Sequence, residues 1–166
     1  HEMISDLMLF ARPPQLQRQR LDLTELVRQV ASGLAPECER RSIELSIVVD
    51  DQTPLVDADA TQLAVAVHAL IVNAMNALGR NGTIQIAVRH SSDGGALLQI
   101  ADNGPGIPPE VRPHIFDPFY SGREAGRGLG FGLSKAWRII TLHGASLTVE
   151  APANGGAISN IDLPAT

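Results

Sequence analysis

The stretch "LAVAVHALIVNAMNAL", residues 63–78, constrains this chain more than any other part of it. It is the longest apolar run, and a helix built from it must be covered by other elements or by lipid. His68, Asn73 and Asn76 interrupt it, and a hydrocarbon layer would leave their polar groups without partners. The segment therefore reads as a core helix of a globular domain. Asp59 and Gln62 supply an Asp-x-x-Gln capping arrangement at its head, and Gly79 and Gly82 close it, which predicts a helix over 60–78.

The flanking sequence supplies what such a helix packs against. Thr24 is placed to cap an earlier helix running to about Arg41, and "IELSIVV" alternates into a strand. "GTIQIAVRH" and "ALLQIAD", joined by "SSDGG", predict an antiparallel hairpin. A helix from about Phe131 to His143 stops at Gly144, and the strands "SLTVEA" and "AISNIDL" follow. This order predicts an α/β fold: a two-layer α/β sandwich whose mixed, mostly antiparallel sheet is covered on one face by helices. Apolar residues make up 44% of 166 positions, enough for one sizeable core. A net charge of −5, with no basic cluster, gives no sign of a nucleic-acid surface. The single cysteine, Cys38, excludes an internal disulfide and a multi-cysteine metal site, and it reads as a small apolar residue on a helix. There is no internal repeat.

Three features carry chemistry. Asn73 lies among Leu70, Ile71, Val72, Ala74 and Met75, where an unpaired amide would cost roughly 1 to 3 kcal/mol. Alone, it reads as a buried asparagine bonded to a neighbouring loop. Asp102 ends a strand and opens "DNGPGIP", which by itself is also ordinary turn chemistry. The stretch "GRGLGFGLSKAW" has glycine at every second position from Gly126 to Gly132, a spacing that suits neither helix nor strand and costs backbone entropy. Familiar phosphate motifs fail by direct reading. The only lysine, Lys135, follows Ser134, so no Walker A loop exists. The frames opened by Gly126, Gly128 and Gly130 reach Phe131, Leu133 and Lys135 where a dinucleotide fingerprint needs glycine. The protein-kinase set of "HRD", "DFG" and a strand lysine is missing.

Together, in order, these segments resemble the ATP-binding catalytic domain of sensor histidine kinases, in the superfamily shared with gyrase, MutL and the ATP-dependent heat-shock chaperone. The resemblance runs from about Leu21 to Pro164, through an asparagine helix at "ALIVNAMNAL", a glycine box "DNGPGIP", a phenylalanine box "IFDPFYSGR", a second glycine box "GRGLGFGLS" and a closing "NGGAISNIDLP". It implies the cofactors ATP and Mg²⁺. Asp102 would accept a hydrogen bond from the adenine amino group, with Gly104, Gly106 and Ile107 shaping the loop under the base. Asn73 would hold Mg²⁺ through its amide oxygen, a hard ligand for a hard cation. Residues 116–131 would form a mobile ATP lid anchored by Phe116 and Phe119. Gly128, Gly130, Gly132 and Leu133 would bring backbone N–H groups and a helix N-terminus to the phosphates. Arg123 stands where relatives often carry a lysine, and would reach the γ-phosphate; its alternative is a solvated surface charge.

Two departures stand out. Ala69 occupies a position, one turn before Asn73, where relatives place a polar residue, and in gyrase-type relatives a catalytic glutamate. This disfavours an ATPase or ATP-gated clamp of that sort and suits a kinase whose nucleophile lies elsewhere. His68, beside it, falls on another face from Asn73 and reads as a packed or surface residue. Phe131 replaces a usual leucine.

"HEMISDLMLFARPP" has helical spacing at Met3, Ile4, Leu7, Met8 and Phe10 and ends at Pro13-Pro14. It resembles the end of the second helix of a dimerisation and phosphoacceptor domain. The expected organisation is that helix over 1–14, a linker over 15–21, and a catalytic domain over 22–166, with the acceptor histidine upstream of residue 1. The implied partners are the phosphoacceptor domain of the same protein and a response regulator, with a homodimer in the full-length protein, a monomer admissible for this segment alone, and no nucleic acid. The implied location of this segment is the cytoplasm, in a full-length protein compatible with a membrane anchor. The competing reading is a degenerate nucleotide-binding or protein-interaction module that transfers no phosphate.

Overall fold

The computed structural model describes residues 15–50, 54–110, 112–114 and 131–165. Among the described residues, seven strands and three α-helices follow in the order β1 (Gln19–Asp22), α1 (Leu23–Arg40), β2 (Glu44–Val49), β3 (Leu55–Ala58), α2 (Ala60–Leu78), β4 (Thr83–His90), β5 (Ala96–Asp102), α3 (Phe131–Leu142), β6 (Ser146–Glu150) and β7 (Ala157–Leu163). A five-stranded sheet has the order β2-β4-β5-β7-β6, in which only the β2–β4 pair is parallel. β1 and β3 form a separate antiparallel pair. The fold is the expected mixed, mostly antiparallel α/β sandwich.

Alternation along the strands produces the two layers. Ile84, Ile86 and Val88 of β4, Leu98 and Ile100 of β5 and Ile161 and Leu163 of β7 are buried together with Leu63, Leu70 and Ile71 of α2 and Leu133, Ile139 and Ile140 of α3. The opposite sheet face carries Gln85, Gln99, Thr148 and Asn160. Gln99 Nε2 donates to Asn160 Oδ1 (2.7 Å), and Asn160 Nδ2 to Glu150 Oε2 (2.6 Å), so a polar ladder crosses three strands there. α2 is long and apolar enough to cross a membrane by composition, yet it packs on the sheet and both other helices.

The capping expectations divide. Asp59 caps α2 as expected, its Oδ1 accepting the Gln62 N–H (3.0 Å), and Gly79 ends the helix at φ +71°. Thr24 does not cap α1. Asp22 does, accepting the Glu25 N–H (3.0 Å), because the chain leaves β1 directly into the helix, with the Leu23 N–H bound to Pro54 O (3.1 Å). Thr24 is instead buried in the first turn, its Oγ1 without a partner among the described residues. The other departure is the β1–β3 pair. Residues 19–21, expected as linker, zip onto residues 56–58 through a ribbon too short and polar for alternation to reveal. The expected helix over 1–14, most of the glycine-rich stretch and Arg123 lie outside the described residues.

Candidate functional site

Asp102 is the last residue of the central strand, paired with Ile84 on one side and Ala157 on the other. Beyond it the chain turns back under the sheet edge. Asp102 Oδ1 accepts the Gly104 N–H (2.9 Å), and the Ala157 N–H also reaches the carboxylate. Asn103 locks the turn to β4, accepting the Thr83 N–H (2.8 Å) through Oδ1.

Three glycines are closely confined here, Gly104 and Gly106 in the loop and Gly156 facing it. A Cβ on Gly104 would stand 3.0 Å from Asp102 Oδ1. Gly106 adopts φ +87°, and its Cβ would meet Gly156 O at 3.1 Å. Gly156 itself adopts φ +81°, donates its N–H to Gly104 O (2.8 Å), and has no room for a side chain, since a Cβ would lie 2.3 Å from Asp102 O. The "NGG" before β7 is thus the surface on which the "DNGPG" loop rests, a role its sequence position did not announce.

One cavity opens above this loop. Leu70, Asn73, Ala74 and Ala77 form a single stripe of α2 along one wall, spaced i, i+3, i+4, i+7. Ile100, Asp102, Ala157, Ser159 and Val149 of the sheet form the floor, and Gly106, Ile107 and Leu133 complete it. The cavity therefore brings together Asn73, Asp102, Gly106, Ile107 and Leu133 of the expected site, with Gly104 immediately beneath. Phe119, Arg123, Gly128 and Gly130 lie outside the described residues, and of Gly132 only its place in α3 is described. Ile100, Val149 and Ser159 were not anticipated; their signal was the inward alternation of β5, β6 and β7.

Polar groups are few in this apolar recess, and their state is informative. Burial pushes the Asp102 carboxyl above its ordinary value, against the opposing pull of the Gly104 and Ala157 N–H groups. The chain thus holds an acceptor in an apolar pocket at a cost. Asn73 is half-buried, and its amide finds no hydrogen-bond partner among the described residues. A lone amide oxygen suits a cation that keeps several waters and takes its other ligands from phosphate, as Mg²⁺ does. Among the described residues no cluster of three His, Cys, Asp or Glu side chains offers an all-protein cage. Ala69 does not reach the cavity, and His68 is exposed on α2, away from it.

Residues 58–166 match the protein family described as histidine kinase-, DNA gyrase B- and HSP90-like ATPase. The chain belongs to that family. Within it, the similarities are to sensor histidine kinases. Over 164 residues the chain is 30% identical to the sensor histidine kinase ZraS of Klebsiella oxytoca, covering 99% of this chain and 35% of that protein. It thus spans about a third of the length of this curated relative. Among solved structures, the isolated catalytic domain of histidine kinase ThkA superposes with a TM-score of 0.80 at 27% identity, over 90% of this chain and 96% of that one. ThkA in complex with the response regulator TrrA gives 0.82 at 25% identity, over 99% and 48%. Full-length ShkA in complex with AMPPNP gives 0.86 at 26% identity, over 98% and 35%. The chain is an ATP-binding catalytic domain of the histidine-kinase type.

Proposed function

We propose that this domain binds Mg-ATP in the cavity between α2, α3 and the end of β5, and gives the γ-phosphoryl group to a histidine on a phosphoacceptor domain of the same protein. The observation that carries this reading is the pairing of a half-buried Asp102 carboxylate with an unpartnered Asn73 amide in one otherwise apolar recess. Adenine is flat and apolar on its faces and has an exocyclic amino group, so it suits a floor of Ile100 and Ala157 with an acceptor at the edge. Gly104 and Gly106 keep side chains out of the plane the base would occupy, and Ile107 and Leu133 would cover it.

Asn73 would hold Mg²⁺, whose chemistry is to neutralise charge on the phosphates. Arg123 would add a fixed cation at the γ-phosphate, Phe119 would anchor the lid, and Gly128, Gly130 and Gly132 would offer backbone N–H groups to phosphate oxygens. In the transfer itself the bond between the γ-phosphorus and the bridging oxygen of ADP breaks, and a bond to an imidazole nitrogen forms. The domain contributes positioning and charge neutralisation. Residues 1–14 are assigned to the second helix of the dimerisation and phosphoacceptor hairpin, the domain proper begins near residue 22, and the acceptor lies upstream. A response regulator then takes the phosphoryl group, as the ThkA complex with TrrA suggests by analogy. A homodimeric full-length protein, anchored at a membrane with this domain in the cytoplasm, belongs to the same reading.

The test is to incubate γ-labelled Mg-ATP with the chain alone and with a longer chain that includes the upstream hairpin. Acid-labile, alkali-stable label should appear only in the second. His68, His90 and His114 are exposed but sit on a core helix, at a hairpin end and in a short turn, while His143 is buried, so none is presented as an acceptor. Efficient self-labelling at His1 would move the acceptor into "HEMISD" and overturn the boundary. Nucleotide binding with no transfer in either case would favour the degenerate module, for which Ala69 argues.

A further inference from the structure

Far from the cavity, at the opposite end of α2, Asp59 gathers hydrogen bonds from several elements. Its Oδ1 accepts the Gln62 N–H at 3.0 Å, and its Oδ2 accepts the Gln17 N–H at 2.8 Å. Its own N–H donates to His143 Nε2 at 3.0 Å, and His143 Nδ1 lies 2.9 Å from Ile139 O. The acceptor role of Nε2 places the ring proton on Nδ1, which donates to that carbonyl. The Thr61 N–H also faces the carboxylate. Asp59 and His143 are only 7% and 3% exposed. One buried residue thus fastens three elements: the head of α2, which carries Asn73; the tail of α3, which carries Leu133; and the chain as it enters the domain at Gln17.

We propose that Asp59 is a positioning residue for phosphotransfer, acting as the tie that shortens the leash between the upstream hairpin and the nucleotide cavity. The proposal rests on the phosphotransfer reading and on a hairpin that ends at Pro13-Pro14. With Gln17 fixed, residues 15 and 16 alone lie between residue 14 and the domain, a span of three Cα–Cα steps. Without the tie the next fixed backbone is Gln19, paired with Ala58, and four residues intervene, a span of five steps. At about 3.5 Å per extended residue the reach grows from about 10 to about 17 Å. The volume open to the domain around the hairpin grows roughly fivefold, and the effective concentration of γ-phosphoryl at the acceptor falls by the same factor. Nucleotide affinity is untouched, because no atom of the tie reaches the cavity.

The experiment uses the longer chain with its hairpin. Gln17→Pro deletes the N–H and leaves Asp59 and its helix cap in place, Gln17→Ala keeps the N–H, and Asp59→Ser keeps a capping oxygen but withdraws Oδ2. Transfer rate, affinity for an ATP analogue, and the spin-label distance distribution between the hairpin and exposed Ser32→Cys on α1 are measured for each; buried Cys38 is shielded from labelling. The expected result is a roughly fivefold slower transfer and a broader distribution for Gln17→Pro and Asp59→Ser, with wild-type affinity, and wild-type behaviour for Gln17→Ala. An unchanged distribution in Gln17→Pro overturns the tie. A broadened distribution with wild-type transfer overturns its role in positioning, and a parallel loss of affinity reduces it to a structural contact. If the wild-type chain transfers nothing, the phosphotransfer reading fails, and with it the positioning role; the distance distribution still decides whether the tie exists.

Discussion

Two aspartates stand at strand ends in this domain, and the chain treats them oppositely. Asp59, after β3, is served by the N–H groups of Gln62, Gln17 and Thr61 and lies near His143. Burial pushes its pKa up, but those partners outweigh burial and hold it below the ordinary 3.8. Asp102, after β5, has two N–H partners and faces an apolar recess, and there burial wins and raises its pKa. Asparagine shows the same division: Asn103 and Asn160 are bonded within the chain, while Asn73 finds no partner among the described residues. Asp59, Asn103 and Asn160 have their bonds completed within the fold, whereas Asp102 and Asn73 in the recess keep capacity to spare, as the proposed ligand role requires of them.

The largest effect that would break this contrast is at Asn73. Asn73→Ala should cut phosphotransfer in the longer chain by roughly 10²- to 10³-fold, as removal of a group that orders transition-state charge does. Apo stability should hold or rise by about half a kcal/mol, since alanine is the better helix former. A variant that melts well below wild type would make Asn73 a structural residue.

Gly156 tests whether the loop beneath the cavity is as tightly built as its distances imply. Gly156→Ala places a Cβ at 2.3 Å from Asp102 O on a backbone at φ +81°. Positive φ and overpacking together should cost about 2 to 4 kcal/mol in urea unfolding. Gly33→Ala, on an α1 surface with nothing within 4 Å, should stabilise by about 0.5 to 1 kcal/mol. Equal effects at the two sites would remove the special role of the loop.

How much of this was legible in the sequence follows from the range of the interactions concerned. The long helix, its Asp59 cap and the β4–β5 hairpin depend on neighbours within a few residues, and they read correctly. Resemblance, more than periodicity, put Asp102 and Asn73 in one site, and the cavity places them together. What stayed hidden is long-range. Gln17 meets Asp59 across 42 positions and His143 meets Asp59 across 84, and no local pattern encodes either contact. Thr24 misled because Asp22, two residues earlier, is just as good a cap, and the choice was made by β1 pairing with β3.

Asp102→Asn exchanges an acceptor oxygen for a donor. Affinity for ATP should fall by about 2 to 3 kcal/mol, roughly 30- to 150-fold by calorimetry. Because the folded pKa is raised, ionising Asp102 costs stability as pH rises from 3.8 through the folded value. The variant should therefore be at least as stable as wild type at pH 7, and that advantage should vanish below about pH 3.8. Unchanged affinity would remove Asp102 from the site.

The smallest effect is the mirror image at Asp59. Asp59→Asn keeps one oxygen for the α2 cap and loses a charge-assisted bond, so it should cost about 1 kcal/mol at neutral pH. Here the folded pKa is lowered, so the stability contributed by the carboxylate is fully present above 3.8 and is lost as pH falls through the folded value. Denaturant midpoints of wild type and variant should accordingly run parallel through the neutral range and converge only in acid, whereas for Asp102→Asn the wild type is the one that gains as acid is added. The pair of titrations is the sharpest form of the comparison, because both substitutions are Asp→Asn. If the two curves bend in the same direction, the distinction between a carboxylate completed by the fold and one held ready for a ligand does not describe this domain.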